Sequence, residues 1–279
     1  MILITGAQGQ LGQELGRKLP AGSSLLLSSA DLDITSEASW AHWLAREKIT
    51  AVINCAAYTQ VDRAEDHVER ARMVNAKALL TIGRLTSKFG IKVVHFSSDY
   101  VFDGTSSRPY REDDVTCPLG VYGTTKLEGE KLLLESNEDA VVIRTSWVYS
   151  RTGNNFVNSM LRLAGQQPNL RVVFDQVGTP TYAADLASAA LEILPSITSG
   201  TPKILNYSNE GVTSWYDFAK AIFELKQLNV SVIPIRTEEY PTRAHRPSYS
   251  VLDKTLIKQT LGLQIPHWRE SLKTCLELS

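Results

Sequence analysis

Cysteine is scarce: Cys55, Cys117 and Cys275 are the three in 279 residues. An odd number of widely spaced thiols supplies neither a disulfide frame nor the paired spacing of a zinc site, and it fits reduced thiols in a cytoplasmic protein. Long hydrophobic runs are missing too, so no membrane-spanning segment is expected. The opening MILITGAQGQ has too short an apolar run and no basic leader, so no export signal is expected either. No sign of charge dominates. The formal net charge is −1 without a basic cluster, which argues against nucleic acid as a partner. The five histidines, His42, His67, His95, His245 and His267, lack metal-ligand spacing and are expected in structural or surface roles. Internal repeats and low-complexity linkers are also absent.

What the chain does have is alternation. An apolar fraction of 43% and a charged fraction of 21% suit an ordinary globular protein. The length fits one large unit or two coupled ones. MILIT, SSLLLS, TAVINC, KVVHFSS and AVVIRTS are apolar runs of strand length. Between them, QLGQELGRKL, SEASWAHWLARE, AEDHVERARMVNAKALLTIGRLTSKF and TTKLEGEKLLLES carry apolar residues three and four apart, the period of a helix with one buried face. Such alternation predicts right-handed crossovers and a parallel sheet covered on both faces.

The expected fold class is therefore α/β, a Rossmann-type doubly wound parallel sheet with a smaller C-terminal α/β substrate-binding lobe. After about residue 150 the rhythm loosens into loops such as RTGNN and EEYPTRAHRPSYS. Residues 1–146 plus about 183–209 are assigned to the dinucleotide-binding domain, and about 147–182 plus 210–279 to the lobe. Trp40 and Trp43 sit at helical spacing and read as a core stripe. The length of the segment from Ala64 to Phe89 alone suggests a helix that packs subunit against subunit in a homodimer.

ITGAQGQLG places Gly6, Gly9 and Gly12 directly after the first strand and at the mouth of a helix. In such a turn the first glycine permits the tight bend, the second lets backbone approach a pyrophosphate, and the third lets helix pack on strand. The helix start then presents free amides and a positive dipole end to the phosphates. A glycine triad by itself is weak evidence; the strand–turn–helix setting strengthens it. The second strand ends in Ser28 and Ser29, where an acidic residue would hold the ribose 2′-hydroxyl of NAD. The missing carboxylate tilts the reading toward NADPH, with NADH as the alternative, although no arginine obviously takes the 2′-phosphate. Asp33, in LDIT, is expected at the adenine side or as a helix cap.

VYGTTKLEGE sets Tyr122 and Lys126 one helical turn apart. A free tyrosine, with a pKa near 10, exchanges protons poorly at neutral pH, and a neighbouring ammonium is expected to lower that value. HFSSDYVFDG ends the fourth strand with two hydroxyls. Ser98 is preferred over Ser97 as the group that orients a substrate carbonyl, because Ser97 should alternate toward the packed face. A tyrosine–lysine pair at this spacing arises often as an exposed helix pair. The conjunction of glycine turn, strand-four serine and tyrosine–lysine helix, in that order, decides for chemistry.

This arrangement resembles the extended short-chain dehydrogenase/reductase family. ITGAQGQLG, NCAAYTQVDRAE, SSDYVFDG, VYGTTKLEGE, RTSWVYSRTGNNFV and DQVGTPTY are similar, nearly throughout the chain, to the dTDP-4-dehydrorhamnose reductase family. The resemblance implies NADPH-dependent reduction of the C4 ketone of dTDP-4-dehydro-6-deoxy-L-mannose to dTDP-L-rhamnose, the last step of dTDP-rhamnose biosynthesis. It implies that Gly9, Gln10 and Leu11 meet the pyrophosphate and that Asp33 and Ile34 meet the adenine half. Ala57, Tyr58 and Thr59 would stand near the nicotinamide ribose. Tyr122 would be the proton donor and Lys126 its partner, both also bordering the cofactor.

Ser98 and Asp99 would contact the sugar, Trp147 would pack on the nucleotide-sugar, and Val61 and Tyr100 would line the pocket. Asn155, Arg162 and Arg246 are further pocket candidates, Arg246 for a diphosphate oxygen. One departure is Ser98 itself, where the family often has threonine; the hydroxyl survives. Some members hold a magnesium ion between subunits with glutamates. Glu14 and Glu277 fall near such positions, but a third carboxylate finds no match, so no metal is assigned. Two rival readings keep the nucleotide turn: a ketoreductase on another nucleotide-linked deoxysugar, and a non-catalytic NADP-binding regulatory subunit such as the methionine adenosyltransferase β subunit. Dehydratases follow the strand-four hydroxyl with an Asp-Glu pair, whereas Asp99 is followed here by Tyr100.

Overall fold

A computed structural model describes residues 1–198 and 200–278. The first half alternates as expected, with β1 (Ile2–Thr5), α1 (Gln10–Lys18), β2 (Ser24–Leu27), α2 (Glu37–Arg46) and β3 (Ala51–Asn54). Next come α3 (Val61–Ala64), α4 (Val68–Arg72), a π-helical turn at Met73–Lys77 and α5 (Ala78–Lys88). β4 (Lys92–Ser98), α6 (Val121–Ser136) and β5 (Ala140–Thr145) complete the half. The second half holds β6 (Val148–Tyr149), α7 (Phe156–Ala164), β7 (Asn169–Val173), β8 (Val177–Gly178) and β9 (Thr181–Tyr182). It continues with α8 (Ala183–Ser196), β10 (Ile204–Asn206), β11 (Thr213–Ser214) and α9 (Trp215–Leu225). β12 (Ser231–Ile235), α10 (Thr255–Leu261) and α11 (Trp268–Glu277) end it.

Six strands form one parallel sheet in the order β10-β5-β4-β3-β1-β2. The α/β fold class is borne out. β3 and β5 are buried at every position and apolar up to their carboxyl ends, where Asn54, Arg144 and Thr145 stand, because both sheet faces are covered. On one face Leu11 and Leu15 of α1 and Leu186, Ala190 and Ile193 of α8 cover Ile4, Ile53 and Val94, and Ile257 of α10 joins them. On the other, Trp40 of α2, Leu79 and Ile82 of α5 and Leu133 of α6 cover Leu3, Val52 and Val93. Trp40 is a core residue, as its spacing predicts; its indole N–H donates to the Ile34 carbonyl at 3.1 Å. A third core lies outside the sheet, where Tyr149, Val157, Phe218, Ile222, Trp268 and Leu272 pack together. The chain runs outward from β1 to β2, then returns to the other side of β1 with β3. Ligand crevices of open α/β sheets lie at such a reversal, beyond the carboxyl ends of the strands.

The segment read as one helix from Ala64 to Phe89 is interrupted. It breaks after α3 and resumes through the π turn before α5. An extra residue per turn widens the helix, and such bulges gather at functional sites. Here it turns Asn75 inward: Asn75 Oδ1 accepts from the Tyr58 amide at 2.8 Å, while Nδ2 donates to the Tyr58 carbonyl and to Thr125 Oγ1, each at 3.2 Å. One side chain thus fixes the loop after β3 and ties it to α6. The apolar face of α5, part of the segment whose length alone suggested a subunit interface, is buried against α6 and the sheet of its own chain.

α6 approaches the π turn so closely that a Cβ on Gly129 would lie 2.0 Å from the Asn75 carbonyl oxygen. Gly129→Ala should therefore force the two apart and lower stability by about 1–3 kcal/mol, as overpacked cores do. Urea unfolding checks this; an unchanged midpoint would contradict the contact.

Candidate active site

A cleft of about 1060 Å³ runs across the carboxyl ends of the strands. At its floor the turn after β1 holds Gly6 at φ 63°. A Cβ there would lie 2.8 Å from the Ala56 amide nitrogen, and one on Gly12 would lie 2.5 Å from the Gly6 carbonyl oxygen. The cradle is shaped by the absence of side chains, and α1 begins at its rim with Gly9 as cap and Gln10 first in the helix. These features fit a dinucleotide pyrophosphate, which takes its contacts from backbone amides. The Gln10 side chain is directed elsewhere: its Oε1 accepts from Ser150 Oγ at 3.0 Å and Asn155 Nδ2 at 2.9 Å.

Ser28, Ser29, Asp33 and Ile34 line the part of the cleft beyond β2. Asp31 is occupied by the Ser28 hydroxyl and amide, at 2.6 and 2.9 Å. Asp33 accepts from the Thr35 hydroxyl and amide, and these bonds hold its carboxyl below the usual range. Arg70 of α4 stands on the same wall. The sequence offered no arginine for a 2′-phosphate because Arg70 belongs to a different helix from the strand-two turn; only the topology brings them together.

At the middle of the cleft, Ala57, Tyr58 and Thr59 follow β3, and Ser98 ends β4. Ser98 Oγ donates to Asp99 Oδ1 at 2.9 Å and accepts from the Tyr100 amide at 3.2 Å. Ser97 also borders the cleft, but its hydroxyl is buried without a partner. Tyr122 lies in the first turn of α6, whose N-terminal Val121 amide donates to Glu65 Oε1 at 2.8 Å. A carboxylate at a helix start also complements the helix dipole. The Tyr122 and Tyr100 rings meet edge to face at 5.5 Å.

Electrostatics here differ from expectation. Burial, with Asp99 adding to it and the Ser98 hydroxyl opposing, pushes the Tyr122 phenol up to about 12. Lys126 does not bring it down. Its Nζ donates to the Phe96 carbonyl at 2.5 Å and meets His95 Nε2 at 3.2 Å. Burial holds Lys126 down to about 8, against the pull of Glu130. That glutamate is itself paired with Arg144 at 2.8 Å, both side chains being buried. Desolvation outweighs charge–charge attraction at this site because both groups lose water and Lys126 Nζ is turned to the Phe96 carbonyl and His95.

The far end of the cleft belongs to the third core. Trp147, at φ 47°, stacks on Trp215 with ring centroids 3.5 Å apart and planes 8° from parallel. Trp215 escaped the sequence reading, although Ser214 ahead of it is a recognisable helix cap that accepts from the Asp217 amide. Arg246 lines the cleft with Val61 and Tyr100 and is held by Asp62 Oδ2 at 2.9 Å. Asn155 is absent from the wall: it caps α7 and reaches the cleft only through Gln10. Arg162 is exposed on the last turn of α7 and does not line the cleft. Among the described residues no three His, Cys, Asp or Glu side chains are placed to hold a metal. Glu14 is instead bound to Arg17.

The parallel sheet, glycine cradle and cleft are those of the extended short-chain dehydrogenase/reductases. A family model described as the RmlD substrate binding domain matches residues 1–279, and the chain belongs to that family. It is 42% identical to a dTDP-4-dehydrorhamnose reductase of Aggregatibacter actinomycetemcomitans, over 98% of this chain and 97% of that one. A spore coat polysaccharide biosynthesis protein of Bacillus subtilis is 41% identical over 99% of this chain and 96% of its own. The crystal structure of a dTDP-4-dehydrorhamnose reductase from Bacillus anthracis in complex with NADP superposes with a TM-score of 0.95 at 35% identity, covering 100% of this chain and 99% of that one.

Burial, opposed by Ser250 and Ser98, lifts the Asp99 carboxyl from 3.8 to about 6. The folded carboxyl binds its proton more tightly than the unfolded one, so its stabilising contribution is full below about pH 4 and is lost as pH rises through about 6. Asp99→Asn should therefore be more stable than the unsubstituted chain near pH 8, by on the order of 3 kcal/mol, and differ little near pH 4. Urea unfolding at both pH values tests this; an equal difference at the two would contradict the burial argument.

Proposed function

We propose that the chain reduces the C4 ketone of dTDP-4-dehydro-6-deoxy-L-mannose to dTDP-L-rhamnose with NADPH, as a cytoplasmic enzyme closing dTDP-rhamnose biosynthesis. One observation carries the reading: a single cleft joins the glycine cradle, the Ser98–Tyr122 pair and the stacked tryptophans. The same reading assigns cofactor to the lobe of residues 1–146 and about 183–209, and nucleotide-sugar to the remainder, with α10 packed back under the sheet.

NADPH bound along the cradle supplies a hydride to the sugar C4 carbon. The chain supplies the proton. A phenol held near 12 stays protonated across ordinary assay pH, which suits an acid that must be loaded before the ketone is reduced. The alkoxide formed at C4 is a stronger base than phenolate, so transfer from Tyr122 Oη runs downhill. Ser98 orients the C4 oxygen by turning its hydroxyl hydrogen from Asp99 Oδ1, which it meets at 2.9 Å, to that oxygen, while the Tyr100 amide holds the serine oxygen in place. Trp147 and Trp215 offer a flat apolar wall to the thymidine, and Arg246 a cation to the diphosphate. These groups lie far from the reacting carbon, and their binding energy fixes its orientation. A homodimer belongs to the same proposal and is checked by the mass in solution.

The primary test is loss of NADPH absorbance with freshly generated dTDP-4-dehydro-6-deoxy-L-mannose and recovery of dTDP-rhamnose. Absence of turnover despite tight NADPH binding would overturn the reading. Tyr122→Phe should keep cofactor affinity and lose turnover by about 10²–10⁴-fold; a variant retaining most of its rate would remove Tyr122 from the chemistry. Arg70→Ala should raise the KM for NADPH about tenfold and leave that for NADH unchanged, as expected for one lost charge-assisted contact. Equal effects on both cofactors would exclude Arg70 as a 2′-phosphate ligand.

A further inference from the structure

Three neighbouring strands place polar side chains in one buried row. Thr5 on β1 is opposite Asn54 on β3, and Asn54 is opposite His95 on β4. All three are buried, on the sheet face otherwise filled by Leu3, Val52 and Val93. Thr5 Oγ1 donates to Asn54 Oδ1 at 2.5 Å, and Asn54 Nδ2 meets His95 Nδ1 at 2.9 Å. His95 Nε2 meets Lys126 Nζ at 3.2 Å, where the row ends. Polar groups this deep are retained at a cost unless each finds a partner, and here each partner is the next member.

The row has a direction. Because the Asn54 oxygen takes the Thr5 proton, its amide nitrogen faces His95, so Nδ1 must accept. A neutral imidazole then carries its hydrogen on Nε2, pointing at Lys126. An ammonium has no lone pair to receive it, whereas an amine does, and the amine can still donate to the Phe96 carbonyl. For Lys126 to carry a charge at this place, His95 must move its hydrogen to Nδ1 and the Asn54 amide must turn over. Burial and the adjoining lysine keep His95 itself neutral, well below its usual range. The other charged groups around Lys126 are the Glu130–Arg144 pair, bridging α6 to β5, and Asp99 with Tyr122 at the cleft.

We propose that His95 is a positioning residue for Lys126: through the Thr5–Asn54 row it holds the amine away from Tyr122, and reversal of the row accompanies its charging. The proposal rests on the reductase reading for its consequence but not for its test. A side chain assigned only structural duty by its lack of metal spacing would then govern the protonation of the lysine at the site.

Ring-nitrogen spectra of the 15N-labelled protein, with His95 assigned by its loss in His95→Gln, read the tautomer without any turnover. The Nε2–H form should dominate above the Lys126 titration and the Nδ1–H form should grow below it; Lys126→Met should hold a single form throughout. Glutamine can present its amide oxygen to an ammonium without a tautomer change, whereas leucine offers no acceptor. The alkaline limb of kcat/KM should therefore move to higher pH in His95→Gln and to lower pH in His95→Leu, each by about half a unit or more. If leucine prevents folding, the spectra and the glutamine variant decide. A His95 ring that titrates near 6.5 as an isolated imidazole, or limbs unmoved in folded variants, would overturn the proposal. Failure of the unsubstituted enzyme to turn over the sugar, with the tautomer change present, would remove the reductase reading and leave the row standing.

Discussion

The turn after β1 lies so close to the backbone after β3 that no side chain fits between them at Gly6. The rest of the site depends on that approach. It occurs where the chain, having left β1 for β2, returns on the other side, so the strand ends diverge and leave a crevice above them. With the floor made of backbone, amides rather than side chains face a ligand. The residues proposed to carry chemistry stand at the next strand end, at Ser98, and at the helix start, at Tyr122. The Asn75 side chain, turned inward by the π turn, then locks the loop after β3 to α6. The loop after β3 and the helix that carries Tyr122 are thus referenced to the same amide group.

Enclosure, more than the pairing of opposite charges, sets the protonation states. A phenol pushed up, a carboxyl pushed up and an ammonium pushed down share one cause, the loss of water along the cleft. Each shift favours the uncharged form, which is the less costly state in a low-dielectric site. For a reduction this is useful in one direction only. In the proposed reading the phenol is kept protonated, and a developing phenolate would need another group to stabilise it.

Much of this was legible in the sequence. Five strands and their helices follow from apolar period, because near-continuous burial and helical spacing leave few alternatives. The glycine turn is legible because its residues are contiguous and backbone geometry dictates them. Ser98, Tyr122 and Lys126 were picked out as a conjunction, and the structure brings all three to one cleft. Side-chain direction was not legible. Lys126 is one turn from Tyr122 in sequence, yet it bends toward β4, where a carbonyl and an imidazole compete for it. The π turn, Arg70 and Trp215 were equally hidden, since each acts on a partner distant in the chain. Asn155 and Arg162 show the converse. Proximity to a motif placed them as pocket candidates, but one became a helix cap and the other faces solvent.

The segments after β5 are joined to the first half of the chain at two places beside the cleft by polar side chains. Gln10 opens α1 beside the cradle and spends its amide oxygen on Ser150 and Asn155. Asp62, in α3, accepts from Arg246 and from the Ala244 amide. Both joints are partly solvated, hence weak singly. An oxygen of a diphosphate offered to Arg246 would compete with Asp62 for the same guanidinium. Exchange of one anion for another keeps the arginine paired throughout, so the loop carrying it need not unfold to admit the nucleotide-sugar.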